Sequence, residues 1–128
     1  MPHLQFEINK KVSDESKEIF VNEIRKTFSE VMDTGTDHIA ISLREYDKYN
    51  LTIGRADIND DICLMNLDIR EGRTIEKRRE LALKYMEIVK HNFGIVSKNQ
   101  YITFTEHRVE DLKKKKKYLA TWISGEDP

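Results

Sequence analysis

The amino-acid sequence predicts an α+β fold in which two β-α-β units form a four-stranded mixed sheet that carries both helices on one face. The order strand, helix, strand occurs in each half of the chain, and the second half repeats it at an offset of about sixty residues. A β-α-β connection is right-handed and makes its two strands parallel, so two such units give one sheet with its helices on the same side. We expect a single domain over residues 1–128, with the first unit at 1–60, the second at 61–106 and a tail at 107–128.

The first unit is predicted from the alternating and helical spacing of its apolar residues. The segment HLQFEI, residues 3–8, alternates apolar and polar side chains as a strand does, and HIAISLREY, residues 38–46, alternates again. Between them the spacing predicts a helix over residues 14–33 that stops near Gly35. The predicted buried stripe of this helix consists of Phe20, Ile24, Phe28 and Val31, widened by Ile19.

The second unit begins with the apolar strand DICLMNLDI, residues 61–69, and ends with the β-rich QYITFTE, residues 100–106. The segment TIEKRRELALKYMEIVKHNFG predicts the helix between them, with Thr74 as its N-cap and Gly94 at its end. Its predicted buried stripe consists of Ala82, Tyr85 or Met86, Val89 and Phe93. The polar connection between the units holds a β-like piece, LTIG, for which we expect either a hairpin or a contact with a neighbouring subunit.

The sheet face opposite the helices is expected to contact further copies of the chain. Apolar residues occupy consecutive positions in ICLM, residues 62–65, so both faces of the third strand carry apolar side chains. A homo-oligomer is the simplest way to cover the second face.

The composition gives no reason to expect nucleic acid, a membrane, a metal or a cofactor as partner. Lys and Arg number 22 and Asp and Glu 23, so the charge is nearly balanced. No apolar run approaches the ~18 residues of a membrane span, and the start of the chain lacks the apolar core of a signal peptide, which predicts a cytoplasmic protein. The 4 histidines share no metal-ligand spacing, and the only cysteine, Cys63, is expected in the core.

The run KKKKK, residues 113–117, is the densest group of charges in the chain. Acidic residues lie close on both sides of it, so we interpret it as a solvated helix or tail face rather than a phosphate-binding patch. Tyr118 and Trp122 are expected to pack the tail onto the domain or onto a neighbouring subunit.

Pro2 is the first candidate for a catalytic residue. A proline suits the start of a strand because its missing N–H loses no ladder hydrogen bond there. If Met1 is removed, however, Pro2 carries a free secondary amine. Burial in an apolar site would lower the pKa of that amine from about 8, which brings a general base close to neutral pH. While Met1 remains attached, the same nitrogen is an amide without usable basicity.

Arginines are the candidates for binding an anionic substrate. Arg44 leaves the second predicted strand on the same face as Ser42, and the segment REGR places Arg70 and Arg73 between the third strand and the second helix. Anions are favoured near the start of a helix, and a guanidinium binds a carboxylate through two parallel hydrogen bonds. For each arginine taken alone, a solvated surface position is the alternative interpretation.

These residues resemble those of the tautomerase superfamily, and within it those of the 5-carboxymethyl-2-hydroxymuconate isomerases. The start MPH, the segment LDIREGRTIEKR, the segment EIVKHNF and the interval from Arg44 to Arg73 carry the resemblance, which extends over most of residues 1–106. A proline after the initial methionine together with the pattern GR-T-x-E-x-R at the start of the second helix is its most specific feature.

The resemblance implies a cofactor-independent homotrimer, active in aromatic catabolism, with its sheets turned inward and the amino-terminal proline in the active site. Pro2 then moves a proton between positions of an enol or dienol acid, while Arg73 binds the carboxylate and stabilises the dienolate. The second strand departs from the isomerase pattern, because it keeps Arg44 but has Ser42 where a second arginine is usual. A hydroxyl does not replace a guanidinium in pairing with a dianion, so binding through Arg44 or Arg70, or a substrate with fewer carboxylates, becomes the alternative.

The leading hypothesis is therefore a tautomerase or isomerase that acts on a 2-hydroxy-dienoate or a 2-oxo acid. A second enzyme hypothesis uses the same site for hydration, dehalogenation or decarboxylation, with a protonated Pro2 as acid. A third hypothesis, from another class, is a non-catalytic oligomeric scaffold of the same fold that binds a carboxylate ligand or a protein. A Met1 that stays in place and the serine at position 42 favour the scaffold.

Overall fold

A computed structural model describes residues 2–108 of the chain, together with the backbone of residues 113–114 and 117–118. Each strand and helix that the periodicity predicts in the two units is present. In chain order the elements are β1 His3–Ile8, α1 Asp14–Met32, β2 Ala40–Glu45, β3 Cys63–Arg70, α2 Ile75–Phe93, a short 3-10 helix Ser97–Asn99, β4 Gln100–His107, β5 Lys113–Lys114 and β6 Lys117–Tyr118.

The first four strands form one sheet in the order β2-β1-β3-β4. β1 is parallel to β2 and β3 is parallel to β4, as two β-α-β crossovers require. The two units meet through the antiparallel pairing of β1 with β3, in which His3 lies opposite Asp68. The predicted four-stranded mixed sheet built from two β-α-β units is confirmed.

Capping residues determine where the two helices begin and end. The sequence analysis predicted the residue that ends α1 wrongly. Ser13 and Thr74 cap the starts of α1 and α2, each accepting a backbone N–H three residues on with its side-chain oxygen. Gly94 ends α2 in the left-handed conformation, with φ at 70°, as predicted. Gly35 does not end α1: the helix stops at Met32 and Asp33 takes the left-handed conformation, with φ at 53°. A short polar residue tolerates that region well enough to end a helix.

Both helices pack on the same face of the sheet and form the core with it. The predicted stripe of α1 is buried, except that Ile19 is 47% exposed. The predicted stripe of α2 is buried at Tyr85, Val89 and Phe93, and only its first member is wrong, because Leu81 rather than Ala82 joins the core. Tyr85 is fully buried and its hydroxyl donates a hydrogen bond of 3.0 Å to the carbonyl of Ile24, which links the two helices.

Cys63 lies in this core, as expected, because β3 places it on the helix-covered face. Desolvation by burial raises the pKa of its thiol to about 12. A thiol of that pKa is neutral at physiological pH and is not a nucleophile.

The opposite face of the sheet, called the open face below, is more polar than the sequence analysis expected. Its apolar side chains are few, with Leu64 half-buried and Tyr101 53% exposed. Alternation through the strand register places the following polar side chains there: His3, Gln5, Glu7, Ser42, Arg44, Asn66, Asp68, Arg70, Thr103, Thr105 and His107. The apolar run in β3 therefore fills the helix side of the sheet rather than both sides equally.

The connection between the units contains turns and no strand, so the segment LTIG does not form the hairpin that was one of its two predicted states. The buried side chain of Asn9 holds this connection to the end of β1. Its amide nitrogen donates to the carbonyls of Lys48 and Asp60 at 3.1 and 3.0 Å, and its oxygen accepts from the backbone N–H of Ile62 at 2.7 Å.

The sequence analysis predicted that the lysine run, residues 113–117, forms a solvated helix or tail face. Lys113–Lys114 and Lys117–Tyr118 pair as two short antiparallel strands, so this part of the run is not helical. Trp122 lies outside the described residues. Among the described residues, no helix combines the length and the apolar character that a membrane span needs.

The turn between β3 and α2 depends on a glycine. Gly72 has φ at +101°, a conformation that side-chain-bearing residues rarely adopt. A Cβ at this position would also meet Nη1 of Arg70 at 3.5 Å. The glycine therefore sets the path of the chain from the sheet into the second helix.

We expect Asn9→Ala to lower the free energy of unfolding by about 2 to 4 kcal/mol, because it leaves two carbonyls and one buried N–H without their partner. Asn50→Ala is the matched control, since Asn50 is exposed. Urea unfolding followed by circular dichroism measures both variants. A loss in Asn9→Ala no larger than that in Asn50→Ala would contradict the assigned role.

Gly72→Ala is expected to lower the free energy of unfolding by about 1 to 3 kcal/mol through backbone strain. Gly54→Ala serves as control, because no atom lies within 4 Å of the added Cβ and its φ is not in the left-handed region. Thermal unfolding of the two variants side by side gives the comparison, and equal melting temperatures would refute the strain.

Candidate functional site

The antiparallel register of β1 and β3 brings the candidate base and two candidate arginines to one end of the sheet. His3 lies opposite Asp68, so one further step places Pro2 beside Ile69. Arg70 follows directly, with its Cα roughly 6 Å from that of Pro2 by the ordinary spacing of paired strands. The residues that the sequence separates by almost seventy positions are therefore neighbours, and this end of the sheet is called the Pro2 end below.

Pro2 is buried at this end. Its carbonyl accepts a hydrogen bond of 3.0 Å from the backbone N–H of Ala40, which continues the pairing of β1 with β2 by one residue. Within the chain a proline has no backbone N–H, so no buried donor lacks a hydrogen-bond partner here. This agrees with the expectation that a proline is tolerated at the start of a strand. Burial by itself disfavours a charge on this nitrogen.

Arg73 lies at the Pro2 end and is directed to the end of a helix. Its Nη1 donates a hydrogen bond of 3.0 Å to the carbonyl of Met32, the last residue of α1. The last turn of α1 contains no basic residue of its own. A cation at a helix C-terminus satisfies an unpaired carbonyl and interacts favourably with the helix dipole, so this contact stabilises α1.

Arg70 projects from the end of β3 on the open face, opposite His107 of β4. Its Nη1 makes a hydrogen bond of 3.3 Å to the carbonyl of the next residue, Glu71. Its Nε is buried and has no hydrogen-bond partner among the described residues. Arg70 thus contacts its own neighbour in the chain, whereas Arg73 contacts the end of α1.

Ser42 lies on the open face near this end and contacts the residue after Pro2. Its Oγ is 3.1 Å from Nε2 of His3, within hydrogen-bond distance. The two residues stand diagonally across the parallel pairing of β1 and β2, in which His3 lies opposite Ala40. Ser42 thus forms a small polar pair beside Pro2, where the isomerase pattern would place a guanidinium.

Arg44 is not brought to the Pro2 end within one chain. It lies opposite Glu7, four residues along β1 from His3, a separation of about 13 Å by the rise of a strand. Its Nη1 is 3.8 Å from a carboxylate oxygen of Glu7, and the hydroxyl of Tyr46 donates to the same oxygen at 2.9 Å. That hydrogen bond from its hydroxyl raises the pKa of Tyr46.

The structure adds a polar network that the sequence analysis did not single out. Asp68 accepts a hydrogen bond of 2.8 Å from the side chain of Gln5 and lies 3.4 Å from Nε2 of His107. Asn66 accepts from the hydroxyls of Thr103 and Thr105, each at 3.1 Å. The alternation of polar residues in β1, β3 and β4 could have indicated a polar sheet face from the sequence. Only the strand register shows which of these side chains form hydrogen bonds with one another.

Within residues 2–108, no group of three or more His, Cys, Asp or Glu side chains is arranged to hold a metal ion. The chemistry available at the Pro2 end is that of an N-terminal amine, if Met1 is removed, beside cationic guanidinium groups. Such a combination suits proton transfer on an anionic substrate.

Comparison with solved structures shows which proteins share this fold. A fused 4-OT, described as a wild-type symmetric trimer, has a TM-score of 0.84 at 13% identity, with 93% of this chain and 99% of that chain covered. FG41 malonate semialdehyde decarboxylase, inhibited by 3-bromopropiolate, has a TM-score of 0.72 at 16% identity, with 86% of each chain covered. A macrophage migration inhibitory factor-like protein from Entamoeba histolytica has a TM-score of 0.73 at 19% identity, with 89% of this chain and 95% of that chain covered.

Sequence comparison gives no match, since neither a protein-family model nor a curated protein is significantly similar to the chain. The likeness is therefore one of three-dimensional structure at low identity. It extends over the two β-α-β units and nearly the full length of the compared chains, and the chain accordingly has the fold of these tautomerase-superfamily structures.

Proposed function

We propose that this chain is a cofactor-independent tautomerase or isomerase of the tautomerase superfamily, with the amine of Pro2 as general base. The observation that carries the proposal is the burial of Pro2 at the sheet end where Arg70 and Arg73 also lie. The shared fold with 4-OT and with the decarboxylase supports it. The proposed substrate is a 2-hydroxy-dienoate or a 2-oxo acid, in the manner of a 5-carboxymethyl-2-hydroxymuconate isomerase.

The reaction needs one proton to change position. The neutral Pro2 nitrogen accepts the proton of the enol hydroxyl, which leaves a dienolate and a protonated amine. The amine then returns that proton to a carbon of the dienolate, which gives the 2-oxo acid and regenerates the base. A guanidinium bound to the substrate carboxylate holds the substrate in place and stabilises the negative charge of the dienolate. Arg70 and Arg73 are the candidates for this role within one chain.

A homotrimer is part of the proposal. Arg44 reaches a Pro2 site only in a contact between copies, because it lies at the opposite end of β2 from its own Pro2. β2 and β4 are the outer strands of the sheet, so the N–H and C=O groups along one edge of each have no neighbouring strand in the described part of the chain. Such an edge can pair with another copy of the chain. The fused 4-OT structures are described as symmetric trimers, and the chain shares their fold.

Sedimentation-velocity centrifugation is expected to give about three times the monomer mass of 15.2 kDa. In the proposed trimer, open faces and outer strands of neighbouring copies pack against one another. A monomer at micromolar concentration would contradict the trimer and would leave Arg44 remote from Pro2.

Decarboxylation is the second candidate reaction, because one protein with this fold is a malonate semialdehyde decarboxylase. It would use the same residues with Pro2 protonated, so that the cation draws electrons from the substrate. The protonation state of Pro2 distinguishes the two reactions: a general base must be neutral at pH 7 and an acid must be charged. Titration of a ¹⁵N-labelled Pro2 by NMR reports this state directly. A non-catalytic scaffold is the remaining alternative.

We expect Pro2→Ala to lower kcat/KM for the ketonisation of phenylenolpyruvate by about 10²-fold, because the variant replaces a secondary amine held in a ring by a freely rotating primary amine that is poorly oriented as a base. Intact-mass spectrometry must first establish that Met1 has been removed. A chain extended by two residues before Pro2 is the matched control, since its fold is kept while its Pro2 nitrogen is an amide. Turnover that stays unchanged in both proteins would refute the role of Pro2, and a Met1 retained in natively expressed protein would favour the scaffold.

A further inference from the structure

A groove of about 490 Å³ runs between α1 and α2 on the side of the helices that faces away from the sheet, and it is called the helix groove below. Its apolar part is formed by Ile88, which is half-buried, and by Leu83, which is 67% exposed. No other large apolar side chain of residues 2–108 is as exposed as Leu83. The groove contains no residue of the Pro2 end.

Carboxylates outnumber cations around the helix groove. Three glutamates and two lysines line it: Glu23, Glu30, Glu87, Lys26 and Lys84. Lys26 is 3.9 Å from Glu30, and Lys84 is 3.2 Å from a further carboxylate, that of Glu80. Glu87 is exposed and makes no ion pair within residues 2–108. A segment that fits this groove therefore combines apolar side chains with positive charge.

The tail of the chain has both properties. The lysine run, residues 113–117, is followed directly by Tyr118 and Leu119 and then by Trp122 and Ile123. Leu119, Trp122 and Ile123 have the i, i+3, i+4 spacing with which one face of an amphipathic segment enters an apolar groove. The sequence analysis expected Tyr118 and Trp122 to pack the tail onto the domain or a neighbouring subunit, and the helix groove is a surface that fits them.

The tail begins at the end of the sheet from which the helix groove is within reach. β4 ends at His107, opposite Arg70, and α2 begins at Ile75, a few residues further along the chain from Arg70. Leu83 is about 12 Å along the helix axis from that start, by the rise of an α-helix. Residues 108–118 span up to about 36 Å when extended, so they are long enough to bring Leu119 to the groove even with a turn between the two short strands of the lysine run.

We propose that the helix groove binds the tail of its own chain. The apolar residues that follow the lysine run pack against Leu83 and Ile88, and the run itself lies beside the carboxylates of the groove. A segment held by so short a connection has an effective concentration on the order of millimolar, which favours it over a separate copy or another protein. This docking is independent of the proposed reaction, because the groove shares no residue with the Pro2 end.

Trp122 is the only tryptophan of the chain, so its fluorescence reports where the tail is. In the full chain we expect an emission maximum at shorter wavelength than that of a solvated tryptophan, and weak quenching by acrylamide. Leu83→Gln should weaken docking by about tenfold or more, because the apolar burial of the leucine is lost. Its emission maximum should then move to longer wavelength and its quenching should increase. Ile58→Gln is the matched control, since Ile58 is 64% exposed and lies outside the groove.

The charged part of the contact is tested by Glu87→Gln. We expect this variant to show more acrylamide quenching than wild type at low salt, because the lysine run loses one of its carboxylates. The difference should disappear in 1 M NaCl, where charges more than about 3 Å apart are screened. Glu18→Gln serves as control, because Glu18 is an exposed carboxylate of α1 outside the groove.

Three results would overturn the proposal. The first is a wild-type Trp122 that emits and is quenched as a solvated tryptophan is, and the second is a Leu83→Gln variant that behaves like wild type or like Ile58→Gln. The third comes from mixing the Leu83→Gln chain with a Trp122→Phe chain, which has an intact groove and no tryptophan. Emission that returns to the wild-type wavelength in the mixture would show that the tail binds the groove of another copy.

Discussion

The antiparallel pairing of β1 with β3 is the interaction on which the arrangement of this protein depends. It joins two β-α-β units that are otherwise separate parallel pairs, and its register places His3 opposite Asp68. A slip by one residue would exchange the two faces of both strands and expose the core side chains. The same register determines that Pro2 meets the end of β3, so the position of the candidate base relative to the arginines is a consequence of how the core is packed.

The two faces of the sheet differ in the side chains they carry. The helix-covered face holds fully buried aliphatic and aromatic side chains, and Phe6 packs edge-on against Phe20 with 5.0 Å between the ring centroids. The open face is a surface of hydrogen-bonded polar side chains, centred on Asp68 and Asn66. Many of these side chains are hydrogen-bonded to one another, so copies of the chain that meet there would do so through a polar, preorganised lining rather than through a second apolar core.

Two arginines of the segment REGR, Arg70 and Arg73, have different surroundings in the folded chain. The helix α1 ends without a basic residue in its last turn, and the fold brings Arg73 to its last carbonyl. Arg70, three residues earlier, has no comparable partner, because strand alternation turns it to the other face. Two side chains in one short segment thus meet opposite environments, and their spacing in the sequence alone does not reveal the difference.

Local patterns in the sequence were sufficient for much of the fold. Apolar periodicity predicted every strand and both helices of the two units, and Thr74 and Gly94 were found as caps, since these depend on short-range geometry. The end of α1 was misplaced, because Asp33 and Gly35 are both able to adopt the left-handed conformation and only packing selects between them.

The sequence by itself determined the element order, the parallel pairs and the residue types available for proton transfer and carboxylate binding, because these follow from side-chain chemistry and local backbone preference. Only the tertiary structure decided which of those residues meet. It placed Pro2 beside the end of β3, turned Arg73 to the end of α1 and left Arg44 with Glu7 at the far end of the sheet. The physical reason is strand register, a long-range property that hydrogen bonds between distant segments set and that no local pattern encodes.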